Sequence, residues 1–183
     1  MLMRALLRLL PWLLGALAVA VAVHLASVAC LPQLVMERAM ARMGAVNAIH
    51  HGPRATAERH GVVRPSPDLL YSVCPYDLSK AALFVGAPVP RDTYWSVSLF
   101  DDSTNNFYTL NDREVGNDRE VALVLVDKHS PLVVRVGTDG AKPRAVSSPT
   151  THGLVVFRTL VNDERRLGEL DAIRRQARCR PLG

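Results

Sequence analysis

The chain lacks most of the signatures by which a sequence announces chemistry. Its 183 residues hold three cysteines, Cys30, Cys74 and Cys179, with no CxxC pair and no Cys/His spacing of the kind that closes around zinc. GxGxxG, a P-loop, HExxH and GxSxG are all missing, which argues against dinucleotide, phosphate-loop, zinc-protease and nucleophile-elbow chemistry. No spacing couples His129 or His152 to a serine nucleophile. His50, His51 and His60 have no carboxylate near enough in sequence to complete a metal set, so no metal and no cofactor is expected. The positives behind the formal charge of +5 are scattered, clustering only near the C-terminus and just past the N-terminal apolar run, and nucleic acid is not expected as a partner. No internal repeat is visible.

Charge is also absent from one long stretch. From Leu9 to Leu31 no side chain is fully charged, and only Pro11, His24 and Ser27 interrupt a run of Leu, Ala and Val. As a helix rising about 1.5 Å per residue, this run reaches across a hydrocarbon core of about 30 Å. Arg4 and Arg8 form a short basic region ahead of it, the ordinary form of an export signal, which places the N-terminus in the cytoplasm and the remainder outside. Two alternatives stay open. Ser27 and Ala29 before Cys30 suit a signal peptidase, and a lipoprotein would carry its acyl chains on Cys30. The run is long for a cleaved signal, whose apolar core is about 7 to 15 residues, so an uncleaved anchor is the preferred reading.

Beyond it, Met36, Met40, Met43, Ala39, Val46 and Ile49 recur at helical spacing, predicting a helix over 34–52 that Gly52 and Pro53 stop. Its methionine stripe packs on the chain's own domain or grips a partner or lipid surface. The remainder reads as short strands: Leu69–Val73, Ala81–Val85, Tyr94–Asp101, Asn106–Leu110, Val121–Val126, Leu132–Val136 and Gly153–Leu160. Along Tyr94–Phe100 the alternation is clean, with Trp95, Val97 and Leu99 on one face and Tyr94, Ser96, Ser98 and Phe100 on the other. A hairpin is expected around Asp101–Asn105, and a polar loop from Thr138 through Lys142, Pro143 and Ser147 to Pro149. A C-terminal helix capped by Asn162 carries Leu167, Leu170, Ile173 and Ala177 on one stripe and Arg165, Arg166, Glu169, Arg174 and Arg175 on a solvated face. The expected organisation is an anchor over 1–33, a helix and linker over 34–60, and an antiparallel β-sandwich with a C-terminal helix over 61–183.

The stretches RPSPDLLYS at Arg64–Ser72, YDLSK at Tyr76–Lys80, YWSVSLFDDSTNNF at Tyr94–Phe107 and FRTLV from Phe157 resemble the bacterial family called domain of unknown function 1254, over about residues 60–182. Ser66 and Pro67 stand where that family usually shows Asn. The resemblance implies an immunoglobulin-like β-sandwich of unassigned activity, set here in a bacterial inner membrane with its domain in the periplasm. Family members often continue into a domain of unknown function 1214, so a separate protein carrying that domain is an implied partner.

The polar residues within these motifs, Arg64, Asp68, Tyr71, Asp77, Tyr94, Asn105 and Asn106, are the candidates for lining a small ligand pocket. Each also has a structural alternative: a turn, an ion pair or a half-buried strand position. Outside the cytoplasm, Cys74 and Cys179 could form a disulfide stapling the C-terminus to the sandwich, with two free buried thiols as the alternative. The expected role is a membrane-anchored binding or interaction module working with a partner protein. An enzyme, or a hydrolase-like subunit completed by the second domain, is the competing class.

Overall fold

The computed structural model describes residues 2–56, 65–116, 118–129 and 143–182. Arg64, His60, the expected strand Leu132–Val136 and the stretch holding Thr138 and Lys142 lie outside them. The chain opens with α1 (Leu2–Met43), a single helix of 42 residues. From Leu9 to Val35 its large apolar side chains are bare, Trp12 at 79% and Leu13 at 62% exposure among them. No part of its most apolar window is buried against protein, and the helix is long and apolar enough to cross a membrane.

The separate helix expected over 34–52 is instead the end of α1, which stops at Met43. Gly44 takes φ +93° there, a conformation that a residue with a Cβ rarely adopts, and the chain turns back. Asn47 then bonds the Asp77 backbone in both directions, accepting from its N–H and donating to its carbonyl at 2.9 Å each. This clamp draws the segment along a strand edge, where it becomes β1 (His50–His51).

The strands that follow are β2 (Leu69–Asp77), β3 (Leu83–Pro88), β4 (Trp95–Asp101) and β5 (Asn106–Asn111). After a short α2 (Asp112–Val115) come β6 (Glu120–Asp127), β7 (Arg144–Ser148) and β8 (His152–Leu160). A 3-10 turn (Glu164–Arg166), α3 (Leu167–Arg174) and β9 (Arg178–Pro181) complete the order. The first sheet runs β1-β2-β8-β4-β5 and the second β7-β6-β3-β9. All described pairings are antiparallel except β6 with β7, which is parallel.

Two expectations are corrected. Part of the supposed polar loop is strand β7: Val146 joins the core and Ser148, wholly buried, meets the Tyr76 hydroxyl. Burial of two alternate residues outweighs the polar composition around them. The C-terminal helix ends at Arg174 rather than running through Ala177. Ala177 and Cys179 turn inward two residues apart, and Cys179 pairs with Val85 as strand β9. Nor is Asn162 the cap: Asp163 accepts from the Arg165 N–H at 3.0 Å, while Asn162 bonds the Asp92 carbonyl.

One buried cluster draws on both sheets. Trp95, Val97, Leu99, Val155 and Phe157 come from the first, Leu83, Val85, Leu123 and Leu125 from the second. Each such side chain, fully buried, contributes about 1.5–3 kcal/mol. Cys74 on β2 and Cys179 on β9 are joined by a disulfide across the two sheets, their Cα atoms 6.5 Å apart.

Candidate functional site

The outward face of the first sheet carries most of the arrangement that could bind. Residues pointing away from the core there are Tyr71 and Val73 on β2, Leu154, Val156 and Arg158 on β8, and Ser96, Ser98 and Phe100 on β4. Met36, Met40 and Met43 of α1 pack over part of this face, against Leu154, Val156, Tyr71, Val73 and Phe100. The methionine stripe is thus seated on the chain's own domain. Where α1 leaves its apolar run, a groove of about 430 Å³ opens between Gln33, Met36, Glu37 and Met40 of the helix, Asp102 of the β4–β5 turn and His152 of β8.

Beside the methionine seat lies a polar row. Register places Arg158 opposite Ser96, and Val156 opposite Ser98. The Arg158 Nη1 donates to Ser98 Oγ at 3.0 Å, and its guanidinium sits 6.0 Å from the Phe100 ring centroid. Ser98 Oγ also stands 3.3 Å from the Thr109 hydroxyl of β5, which lies 3.1 Å from Asn106 Oδ1 on its other side. Arg158 has no ion pair among the described residues, and Ser96 Oγ is buried without any hydrogen-bond partner.

At the β1 edge a second cluster forms. Nδ1 of His51 lies 2.8 Å from Ser72 Oγ. Arg174, one of the arginines expected on a solvated face, is only 6% exposed. It donates to the Tyr71 carbonyl at 2.8 Å and the Gly52 carbonyl at 3.0 Å, and it pairs with Asp171. Burial, then the Arg174 and Arg175 guanidiniums, push the His51 imidazole below its usual pKa. For Asp171, burial works upward, but hydrogen bonds from Arg175 and Arg174 dominate and hold its carboxyl low. The serine–histidine contact that sequence spacing did not reveal therefore exists, brought together by β1–β2 pairing. Ser72 is 1% exposed, so its hydroxyl is not presented to a substrate.

The sequence candidates are scattered. Asp68 lies 3.9 Å from Arg54, whose main partner is Glu164 at 2.7 Å. The Tyr71 hydroxyl accepts from the Ser66 N–H at 3.2 Å. Asp77 stands at the far end of β2, six residues beyond Tyr71 and so about 20 Å from it for a strand rising about 3.3 Å per residue. Hydrogen bonds from Ser79 hold its carboxyl below the usual range, and His152 Nε2 is 3.5 Å away. Asn105 is bound through N–H and side chain to Asp101, at 2.8 and 3.0 Å, within the β4–β5 turn. Asn106 bonds Thr109 at 2.9 Å, and Tyr94 is 43% exposed, with its carbonyl taken by the Leu160 N–H. These residues do not converge on one pocket, and Arg64 lies outside the described residues. No group of three or more metal-ligating side chains occurs among the described residues. Sequence reasoning missed Arg158, although it is the one fully charged residue in the run His152–Leu160.

Similarity to known proteins places this architecture. No curated protein matches the chain. Among solved structures it is similar to the VPA0106 protein from Vibrio parahaemolyticus, with a TM-score of 0.57 at 13% identity, covering 64% of this chain and 29% of that one. It is also similar to a putative uncharacterized protein from Burkholderia cenocepacia, with a TM-score of 0.45 at 17% identity, covering 63% of this chain and 32% of that one. The chain thus spans about a third of the length of either protein, and the first likeness is one of fold alone. Residues 46–181 match the family described as Protein of unknown function (DUF1254), reaching back past residue 60 to take in the Asn47 clamp and β1. By that match, over well more than half its length, the chain belongs to the DUF1254 family.

Proposed function

We propose that the protein is a membrane-anchored binding module of the bacterial envelope, tethered through α1 to the inner membrane with its two-sheet domain in the periplasm. The observation that carries this reading is the seat of α1 on the first sheet. Met36 is 5% exposed there, whereas the large apolar residues from Leu9 to Val35 are bare, so one helix serves as span and as support. The Cys74–Cys179 disulfide favours an oxidising compartment, and Arg4 and Arg8 favour a cytoplasmic N-terminus. The two sheets, bridged by a disulfide with Trp95 buried beside Phe157 at 6.2 Å between ring centroids, are read as an immunoglobulin-like sandwich. The polar candidates serve turns and strand ends rather than one pocket, which favours recognition over catalysis. A protein carrying a domain of unknown function 1214 is the proposed partner, on the family resemblance. Membrane fractionation and protease protection of the tagged full-length chain test the reading: the domain should be membrane-bound and cleavable from the periplasmic side. Recovery of the full-length chain, N-terminus intact, in the soluble fraction rejects it.

A second reading, an enzyme subunit completed by its partner, rests on the 2.8 Å contact of Ser72 with His51. Displacement of β1 would be needed to bare the hydroxyl. A fluorophosphonate probe that fails to label Ser72 in native membranes removes this reading.

A further inference from the structure

We infer that the groove between α1 and the β4–β5 turn holds the headgroup of a membrane lipid that bears a primary amine. This rests on the reading of α1 as a membrane span. The groove is an open cavity of about 430 Å³ with a mixed lining. Met36 and Met40 supply its apolar part, and the same two methionines pack on the first sheet. Glu37 and Asp102 bring carboxylates to it from two sides, one on the helix and one on the turn, and Gln33 adds an amide. No lysine or arginine stands among its described lining residues. Glu37 and Asp102 join no ion pair among the described residues; Asp102 Oδ1 accepts from the Ser103 hydroxyl at 2.8 Å. His152 completes the lining, its ring nitrogens 2.9 Å from the Thr151 hydroxyl and 3.5 Å from Asp77.

Position selects a lipid, and charge selects its headgroup. The uncharged stretch of α1 ends at Leu31. Gln33, Met36 and Glu37 follow it by two, five and six residues, which is about 3, 7.5 and 9 Å along a helix axis. The headgroup layer is roughly 5–8 Å thick on each side of the hydrocarbon core, so the groove opens at headgroup depth or just above it. Lipid is therefore the ligand nearest its mouth. A headgroup of net negative charge meets two carboxylates and is repelled. An ammonium is attracted by both, and a primary one also donates N–H bonds to the Glu37 and Asp102 carboxylates and the Gln33 amide oxygen. A quaternary ammonium has no N–H to donate and is recognised by aromatic faces; no aromatic ring lines the groove among the described residues. The thioethers of Met36 and Met40 are adaptable enough to receive the glycerol end of the lipid.

The full-length chain, anchor retained, is reconstituted into nanodiscs of phosphatidylethanolamine, phosphatidylcholine and phosphatidylglycerol in equal parts. It is then released into mild detergent, and native mass spectrometry compares the lipids that stay bound with the composition of the disc. Phosphatidylethanolamine should be retained roughly threefold or more over each of the others, as charge-assisted N–H bonds require. Glu37→Gln should lower that ratio, and Glu37→Gln with Asp102→Asn should bring it to about one. Glu37 is exposed, so Glu37→Gln alone decides should the double variant fail to fold. Glu120→Gln makes the same change of charge on β6 of the second sheet and should leave the ratio as in wild type. Equal retention of phosphatidylcholine and phosphatidylethanolamine overturns the primary-amine assignment. Enrichment of phosphatidylglycerol, or a preference that survives Glu37→Gln with Asp102→Asn, overturns the site. A chain that enters the discs and retains all three lipids alike sinks this inference and leaves the membrane reading standing, whereas one that never enters a disc sinks both.

Discussion

The hydroxyls of Tyr76 and Ser148 stand 2.9 Å apart and tie the first sheet to the second. The Phe100 carbonyl lies 3.1 Å from the Tyr76 hydroxyl and the Thr150 carbonyl 2.7 Å from that of Ser148, so the two hydroxyl protons are shared among three contacts. Burial pushes the tyrosine up to about 12 from an ordinary 10.0. Between those values the unfolded chain has released its proton and the folded one keeps it, so stability falls as pH rises through the interval. The loss amounts to about 2–3 kcal/mol across it. Tyr76→Phe should cost about 1–2 kcal/mol at neutral pH and flatten the alkaline decline. Urea denaturation from pH 8 upward checks both; an unchanged alkaline slope in the variant would refute the assignment.

Cys74 and Cys179 enclose 105 positions of sequence separation. Closing a loop of that size constrains the unfolded chain by up to about 4.7 kcal/mol in the entropic account, and measured values run about 2–5 kcal/mol. The Cys74→Ala/Cys179→Ala double variant should lose stability within that range. β9 gives way first, because β3 is its one described pairing. Mass measurement before and after alkylation with and without reductant should find one reactive thiol, Cys30, in the unreduced protein. Three reactive thiols would contradict the bridge.

The parts of this fold that sequence discloses are those where periodicity runs long enough to be counted. Trp95, Val97 and Leu99 against Ser96, Ser98 and Phe100 give β4 its face, and β2, β6 and β8 are apolar for as long. β7 and β9 bury only one or two alternate residues each, too few for a period of two to stand out from Arg, Ser and Pro neighbours. His51 and Ser72 are 21 residues apart in sequence and meet only because Gly44 and Asn47 redirect the chain. Arg174 looks like a surface arginine on a helical wheel; its burial goes with two backbone carbonyls, Tyr71 on β2 and Gly52 just past β1. The polar motif residues were identifiable as special, but they serve the turns that hold the sheet. The contact of Arg158 with Ser98 needed cross-strand register to be recognised.

Arg174 links α3 to the β1–β2 edge through the Gly52 and Tyr71 carbonyls and Asp171. Arg174→Met strips the donor from the Gly52 and Tyr71 carbonyls while Asp171 keeps Arg175 at 2.7 Å, so the variant should cost about 1–3 kcal/mol. His51, beside it, has its pKa lowered from 6.5. The unfolded chain therefore binds a proton before the folded one does, and stability drops as pH falls from 6.5 toward the folded value. His51→Gln should remove that part of the acid sensitivity. Chemical denaturation between pH 7 and 5 would show a shallower decline in the variant, and parallel curves would assign the sensitivity elsewhere.

Met36 is the buried centre of the contact between α1 and the first sheet, with Met40 and Met43 beside it and Leu154 and Val156 beneath. The inter-sheet core shares no residue with this cluster. Met36→Lys with Met40→Lys should therefore undock the helix without unfolding the domain. A lysine there cannot keep its ammonium against Leu154 and Val156 and turns it toward the groove beside Asp102, so the apolar seat is lost. Undocking bares Tyr71, Val73, Phe100, Leu154 and Val156, a patch that binds hydrophobic dyes and promotes association. It also frees the chain around Gly44, where limited proteolysis should cut the variant faster than wild type while the disulfide-linked domain beyond survives intact. If the double variant resists protease at that point as well as wild type does, α1 is held by contacts other than its methionines.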